Sequence, residues 1–142
     1  MKSRIRRWWV AKLQEWVPVG HISDKVTVGE DLKLPHGGVG VFVVQHATIG
    51  DRVTIYQGGV IGRYDAQLRD YADSPFDHVV VEDDVIIYAN AVVVAGPGVT
   101  TLGRGSIVGA GAVLLGSTGP GEIWAGNPAR HVGYRPGWEP RT

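Results

Sequence analysis

A period of six governs this chain. Val43, Ile49, Ile55 and Ile61 stand six residues apart and head the segments IGDRVT, IYQGGV and IGRYDA. The register returns at Val81, Ile87 and Val93, then at Leu102, Val108 and Leu114, with an earlier trace at Val28 and Leu34. Four places after these aliphatic residues comes a small or β-branched one, as at Val53, Gly59, Val85, Ala91, Ser106 and Ala112. Six fits neither the 3.6-residue period of a helix nor the spacing of hairpin strands. It fits one side of a triangular coil, three sides making a turn of about 18 residues, with coils stacked at the strand spacing of about 4.8 Å. The aliphatic residues then point inward in ladders, and glycine, Asp and Asn take the corners, where positive φ costs least. Glycine is abundant enough to fill many corners, at 21 of 142 residues, about twice the usual share. The expected fold class is all-β, a parallel β-helix of about five coils.

The breaks in register carry information too. Leu34 to Val43 and Val93 to Leu102 each span nine residues, an excess of three. Ile61 to Val81 spans twenty, where eighteen would close a coil. The polar, acidic and aromatic stretch between them predicts one extruded loop at about 63–79, and long loops in compact folds commonly carry function. Asp65, Asp70, Asp73 and Asp77 read as a solvated acidic face without metal-ligand spacing. Tyr64, Tyr71 and Phe76 read either as a stacking surface for a sugar ring or as the loop's own packing. Residues 1–20 are basic and Trp-rich, with Ile5, Trp9, Leu13 and Trp16 along one helical face that Pro18 ends. The expected organisation is a helical cap over 1–20, a β-helix over 21–133 and a tail over 134–142; the N-terminal helix can cover one open end of the stack, and the stretch from Trp124, with Pro128, Pro136 and Pro140, the other.

Composition excludes several classes. Fourteen basic residues against fourteen acidic ones argue against nucleic acid as a partner. The absence of cysteine removes disulfides, thiolate metal sites and a cysteine nucleophile. No apolar run reaches transmembrane length and the opening is too charged for a signal peptide, so stable membrane insertion is not expected and the expected location is cytoplasmic.

Beside the hexads stand LPHGGVG, DHVVVEDDVIIYAN, VGAGAVLLG and the closing AGNPARHVG. Together they resemble the hexapeptide-repeat acyltransferases, whose fold is a left-handed β-helix, and within them the catalytic domain of serine acetyltransferase. The resemblance covers roughly His21 to Gly133. It implies a homotrimer with acetyl-CoA in the groove between neighbouring β-helices, no metal, and acetyl transfer to a small-molecule hydroxyl acceptor. His36 stands where that family carries its catalytic histidine, and an imidazole suits a base that takes a hydroxyl proton near neutral pH. His78 matches the second active-site histidine. The same alignment places Ala89, Gly109, Ala110, Ala125, Gly126 and Arg130 along the CoA groove, where small residues admit the pantetheine arm and an arginine can pair with phosphates.

The match departs from its family in places. The position that carries an orienting aspartate is His21 here, with Asp24 three residues on, so Asp24 or a backbone carbonyl takes that role. Pro35 replaces the Asp that normally precedes the catalytic histidine. The last residue is Thr142 rather than isoleucine, so docking to cysteine synthase is not expected. L-serine is the lead acceptor, with a sugar or polysaccharide hydroxyl as the alternative. A γ-carbonic-anhydrase-like metalloenzyme is more distant, because spacings of 10 from His36 to His46 and 32 from His46 to His78 do not supply its histidine triad. A non-enzymatic β-helix is the remaining class. His46 is expected at the surface and His131 in tail packing.

Overall fold

The computed structural model describes residues 20–68 and 70–140; the helix expected at the N-terminus falls on residues 1–19, outside the described ones. Short strands follow the hexads. The first coil holds β1 (His21–Ile22) and β2 (Thr27–Val28). The second holds β3 (Phe42–Val43), β4 (Ala47–Ile49) and β5 (Thr54–Ile55). The third holds β6 (Val60–Arg63), β7 (Phe76–Val81) and β8 (Ile86–Ile87). The fourth holds β9 (Val92–Ala95), β10 (Gly98–Leu102) and β11 (Ile107–Val108). The fifth begins with β12 (Val113–Leu114), and β13 (Glu122–Gly126) and β14 (Ala129–Tyr134) follow as an antiparallel pair.

Hydrogen bonds gather the strands into sheet one (β1-β3-β6-β9-β12), sheet two (β2-β4-β7-β10) and sheet three (β5-β8-β11-β13-β14). The chain visits them in that order on every turn, and the coils form a left-handed β-helix. The register stacks Ile22, Val43, Ile61, Val93 and Leu114 in sheet one. Val28, Ile49, Val81 and Leu102 stack in sheet two, and Ile55, Ile87 and Val108 in sheet three. From Val43 to Leu114 none of these side chains is more than 1% exposed, each contributing about 1.5–3 kcal/mol of burial. Val53, Val85, Ala91, Ser106 and Ala112, the fourth-place residues, are buried to the same degree. Val28 lies in the end coil and stays half exposed.

Each corner must turn the chain by about a third of a circle without a side-chain clash. Along the edge from sheet two to sheet three the left-handed positions are Asp31, Arg52, Asp84, Gly105 and Gly121, with φ between 54° and 68°. Asp83 accepts the N–H of Asp51 at 2.9 Å, and Asp51 accepts that of Glu30 at 2.8 Å, so each carboxylate closes the corner before it. Arg52 grips Asp84 through two nitrogens, at 2.8 and 3.0 Å. That contact holds the Asp84 carboxyl below its ordinary titration range.

Three expectations need correction. The excursion is shorter than 63–79, because β6 runs to Arg63 and β7 begins at Phe76. Ile61 and Val81 belong to adjacent sheets, so the twenty residues replace a step of six rather than a coil of eighteen. Asp65 is not solvated but fully buried. It accepts from Arg63 at 2.9 and 2.5 Å and from the Ser74 hydroxyl, while the guanidinium lies over the Phe76 and Tyr71 rings at 4.3 and 4.8 Å. The aromatic residues therefore fasten the loop to its own coil. The tail does not simply cover the end of the stack. Beyond β14 it runs back down the two–three edge, with the Arg135 N–H on the Gly121 carbonyl (2.7 Å) and its guanidinium on the Asp84 carbonyl (2.9 Å). Trp138 lies where a methyl group at Gly105 or Gly121 would stand, 2.7 and 2.3 Å away. Among the described residues no helix is long and apolar enough to cross a membrane.

Candidate active site

The three-residue excess after Leu34 is a single tight turn, Pro35–Gly38, at the edge between sheets three and one. Pro35 opens it, and His36 (φ 58°) and Gly37 (φ 72°) both take the left-handed conformation. A non-glycine residue there is strained, and here the histidine bears that strain with its ring exposed. The Gly38 carbonyl anchors the turn by accepting the N–H groups of Gly20 and Val41, each at 3.0 Å. Beside it, at the start of β1, His21 stacks on Phe42 with ring centroids 5.8 Å apart.

His78 lies on a wall strand rather than in a loop, in β7 of sheet two. Its Nε2 is 2.8 Å from the Thr48 hydroxyl on the neighbouring rung. Asp24 is exposed in the turn between β1 and β2, at the edge between sheets one and two, and its carboxylate accepts only a long 3.4 Å contact from Ser23. Within one copy the fold thus distributes the three groups over two edges and a face. No hydrogen bond joins His36, His78 and Asp24 among the described residues. His46 is exposed and set edge-on to Phe76, while His131 lies between the rings of Trp124 and Tyr134.

The residues that the resemblance assigns to the CoA groove lie close together. Ala89 accepts the Gly111 N–H at 2.9 Å, Gly109 donates to the Trp124 carbonyl at 2.8 Å, and Arg130 pairs with Ala125 across the β13–β14 hairpin. Ala89, Gly109, Ala110, Ala125 and Gly126 therefore stack on the same three–one edge that carries His36. Their lack of bulk shapes the strip: a methyl at Gly109 would stand 3.2 Å from the Trp124 oxygen, and Gly111 faces open space. Arg130 is exposed and spends only one contact, 3.0 Å to the Ala129 carbonyl. Among the described residues no three His, Asp or Glu side chains gather as a metal-ligand group.

Two features of the site have no signal in the sequence. Thr48 is the contact of His78, thirty residues away, and only the rung register brings them together. Gln57, on the edge between His36 and Ala89, has a buried carboxamide oxygen without a partner.

No family model matches the chain. A serine acetyltransferase of Synechococcus elongatus is 35% identical over 106 residues, which are 72% of this chain and 32% of that protein. Serine acetyltransferase 4 of Arabidopsis thaliana is 29% identical over 113 residues, 80% of this chain and 29% of that one. The chain spans about a third of the length of these curated relatives. Among solved structures, the serine acetyltransferase of Neisseria gonorrhoeae superposes with a TM-score of 0.67 at 25% identity, covering 81% of this chain and 40% of that one. A serine acetyltransferase in complex with CoA gives a TM-score of 0.62 at 25% identity, covering 76% and 40%.

Proposed function

We propose that this chain, whose β-helix is similar to that of the serine acetyltransferases, is an acetyl-CoA-dependent O-acetyltransferase with L-serine as lead acceptor. One observation carries the reading: His36 and the strip of small residues occupy one edge. From the His36 turn to Ala125 is four coil steps, roughly 19 Å at about 4.8 Å each. That length suits an extended pantetheine arm with its thioester at His36 and its phosphates toward Arg130, whose guanidinium can pair with them.

When bound, acetyl-CoA supplies the activated acetyl group. His36 would take the proton of the acceptor hydroxyl as its oxygen attacks the thioester carbonyl, and would return it to the sulfur as the C–S bond breaks, releasing free CoA and the acetyl ester. A backbone N–H of the glycine-flanked turn holds the charge that develops on the carbonyl oxygen. His78 lies on the face opposite the three–one edge, so we assign it to the site of a neighbouring copy in a homotrimer. Orientation of His36 falls either to a backbone carbonyl of its turn or to Asp24, which is exposed on the one–two edge and so would have to come from a neighbouring copy. Sheet one carries Phe42, Val60, Val92 and Val113 outward in one register, and sheet three carries Ile86, Ile107 and Ile123. Two unlike apolar patches are what a closed ring of head-to-tail contacts requires. Such an enzyme needs a compartment supplied with acetyl-CoA, and the cytoplasm is the one we assign. A sugar hydroxyl is the second reading, favoured by Tyr71, which is 59% exposed and holds Arg63 with one face of its ring.

The test is thiol release from acetyl-CoA by the purified protein, with L-serine, simple sugars and no acceptor in parallel. Serine-dependent release that falls by about 10²- to 10⁴-fold in His36→Ala, with CoA affinity unchanged, is the expected result. Release with sugars alone moves the acceptor assignment, and failure to bind CoA overturns the reading.

A further inference from the structure

Where sheet three meets the three–one edge, one column of residues changes character along the stack. Tyr56 donates its N–H to the Ile87 carbonyl, Tyr88 to that of Val108 and Gly109 to that of Trp124, at 2.9, 2.9 and 2.8 Å. The column therefore reads Tyr56, Tyr88, Gly109, Ala125, aromatic toward His36 and nearly bare toward Arg130. The two rings stack with centroids 5.1 Å apart and planes 15° from parallel, about one coil step. Tyr56 is half-buried, while Tyr88 ends the stack 37% exposed. The second face of the Tyr88 ring turns toward the next rung, where Gly109 supplies no side chain and Ala125 beyond it only a methyl group. A ring fixed on one face and bare on the other is a surface on which a compact apolar group can pack.

This inference rests on the acetyl-CoA reading above, in which the arm runs from His36 to Ala125. Gly109 lies three coil steps along that path, roughly 14 Å at about 4.8 Å each. An extended pantetheine arm carries there its one branched apolar group, the carbon with two methyls that precedes the phosphate ester. We propose that Tyr88, held flat by Tyr56, packs its free face against these methyls above Gly109. The contact fixes how far the arm slides along the edge and thereby sets the thioester in register with His36. Tyr88 is then a specificity residue for the acyl donor and takes no part in the bond changes.

Tyr88→Ala removes the ring, and Tyr88→Phe keeps its face. The Kd for CoA by calorimetry is expected to rise about five- to twentyfold in Tyr88→Ala and to stay within about twofold in Tyr88→Phe. A CoA that lacks the two methyls loses the same factor against the parent and nothing further against Tyr88→Ala. Nuclear Overhauser contacts between the Tyr88 ring protons and the methyls of bound CoA are expected in the parent, a readout that needs no variant to fold. A parent protein that binds no CoA sinks the acetyl-CoA reading and this inference with it. A parent that binds CoA no better than Tyr88→Ala overturns the role of Tyr88 alone, because the ring then closes the groove or stands outside it. Loss of the methyls that costs both proteins equally, or a parent complex without the Overhauser contacts, also overturns it and leaves the acetyl-CoA reading standing.

Discussion

Gly58 shows how little freedom one corner residue has. It lies at φ 70°, and a methyl group there would stand 2.2 Å from the Asn90 amide oxygen one coil away. Alanine combines left-handed strain with that clash. Gly58→Ala should therefore cost about 1–3 kcal/mol, measured as a shift in the denaturation midpoint with an unchanged slope. Gly111 has a similar φ, 66°, but nothing within 4 Å of its missing Cβ. Gly111→Ala should bear the conformational cost alone, about 1 kcal/mol. The hexad pattern makes both glycines legible as corner residues. It cannot separate them, because the difference lies in what the next coil places above each. Gln57 is hidden in the sequence for the same reason: a corner glutamine looks solvated until the coils on either side of it are in place.

The loop at 64–75 is the element least legible in the sequence, and its chemistry explains why. Its fastening depends on a contact between Arg63 and Asp65, closed by Ser74 nine residues later, with rings on either side of the guanidinium. No period marks such a cluster, so four acidic residues read alike although one is buried. Hydrogen bonding to Arg63, then to Ser74, outweighs burial and brings the Asp65 carboxyl down to about 2, from an unfolded value near 3.9. The folded state thus binds fewer protons than the unfolded one between about pH 4 and pH 2. The contribution of Asp65 is fully present above pH 4 and is lost as the pH falls through that window. Acid titration followed by proteolysis should show cleavage in 64–75 setting in below pH 4. Asp65→Asn should remove the pH dependence of that cleavage, and unchanged acid sensitivity in the variant would contradict the assignment. Burial pushes the Glu122 carboxyl up, but the Gly119 N–H and the Trp124 indole bring it below its usual range, so it adds to acid lability with the same sign.

At the scale of the molecule, the ladders were legible because six residues per side leave one register. Every aliphatic residue that the period placed inward from Val43 to Leu114 is buried. The relation of His36 to His78 was not legible, since order along the chain does not say which edge or face a residue occupies. On the proposed function, their separation within one copy makes activity depend on a neighbouring copy. Val92→Lys, on the outward face of sheet one, should dissociate the assembly while leaving the coil folded. Sedimentation should then report a single chain, the strand signal in circular dichroism should persist, and thiol release should fall with the assembled fraction. Full activity in a monomeric variant would place both histidines' work within one copy.

A stack of coils is close to a one-dimensional object in which each turn meets only its neighbours, so its ends are free to fray one turn at a time. The returning tail changes that arithmetic. By binding the Asp84 carbonyl and covering Gly105 and Gly121, Arg135 and Trp138 splint three successive turns together. The terminal turn cannot unwind until the splint lifts, and once it lifts all three turns lose a neighbour at once. Amide hydrogens along that edge should therefore exchange in a single cooperative step, and the C-terminal end of the rod behaves as one foldon rather than as the last link of a zipper.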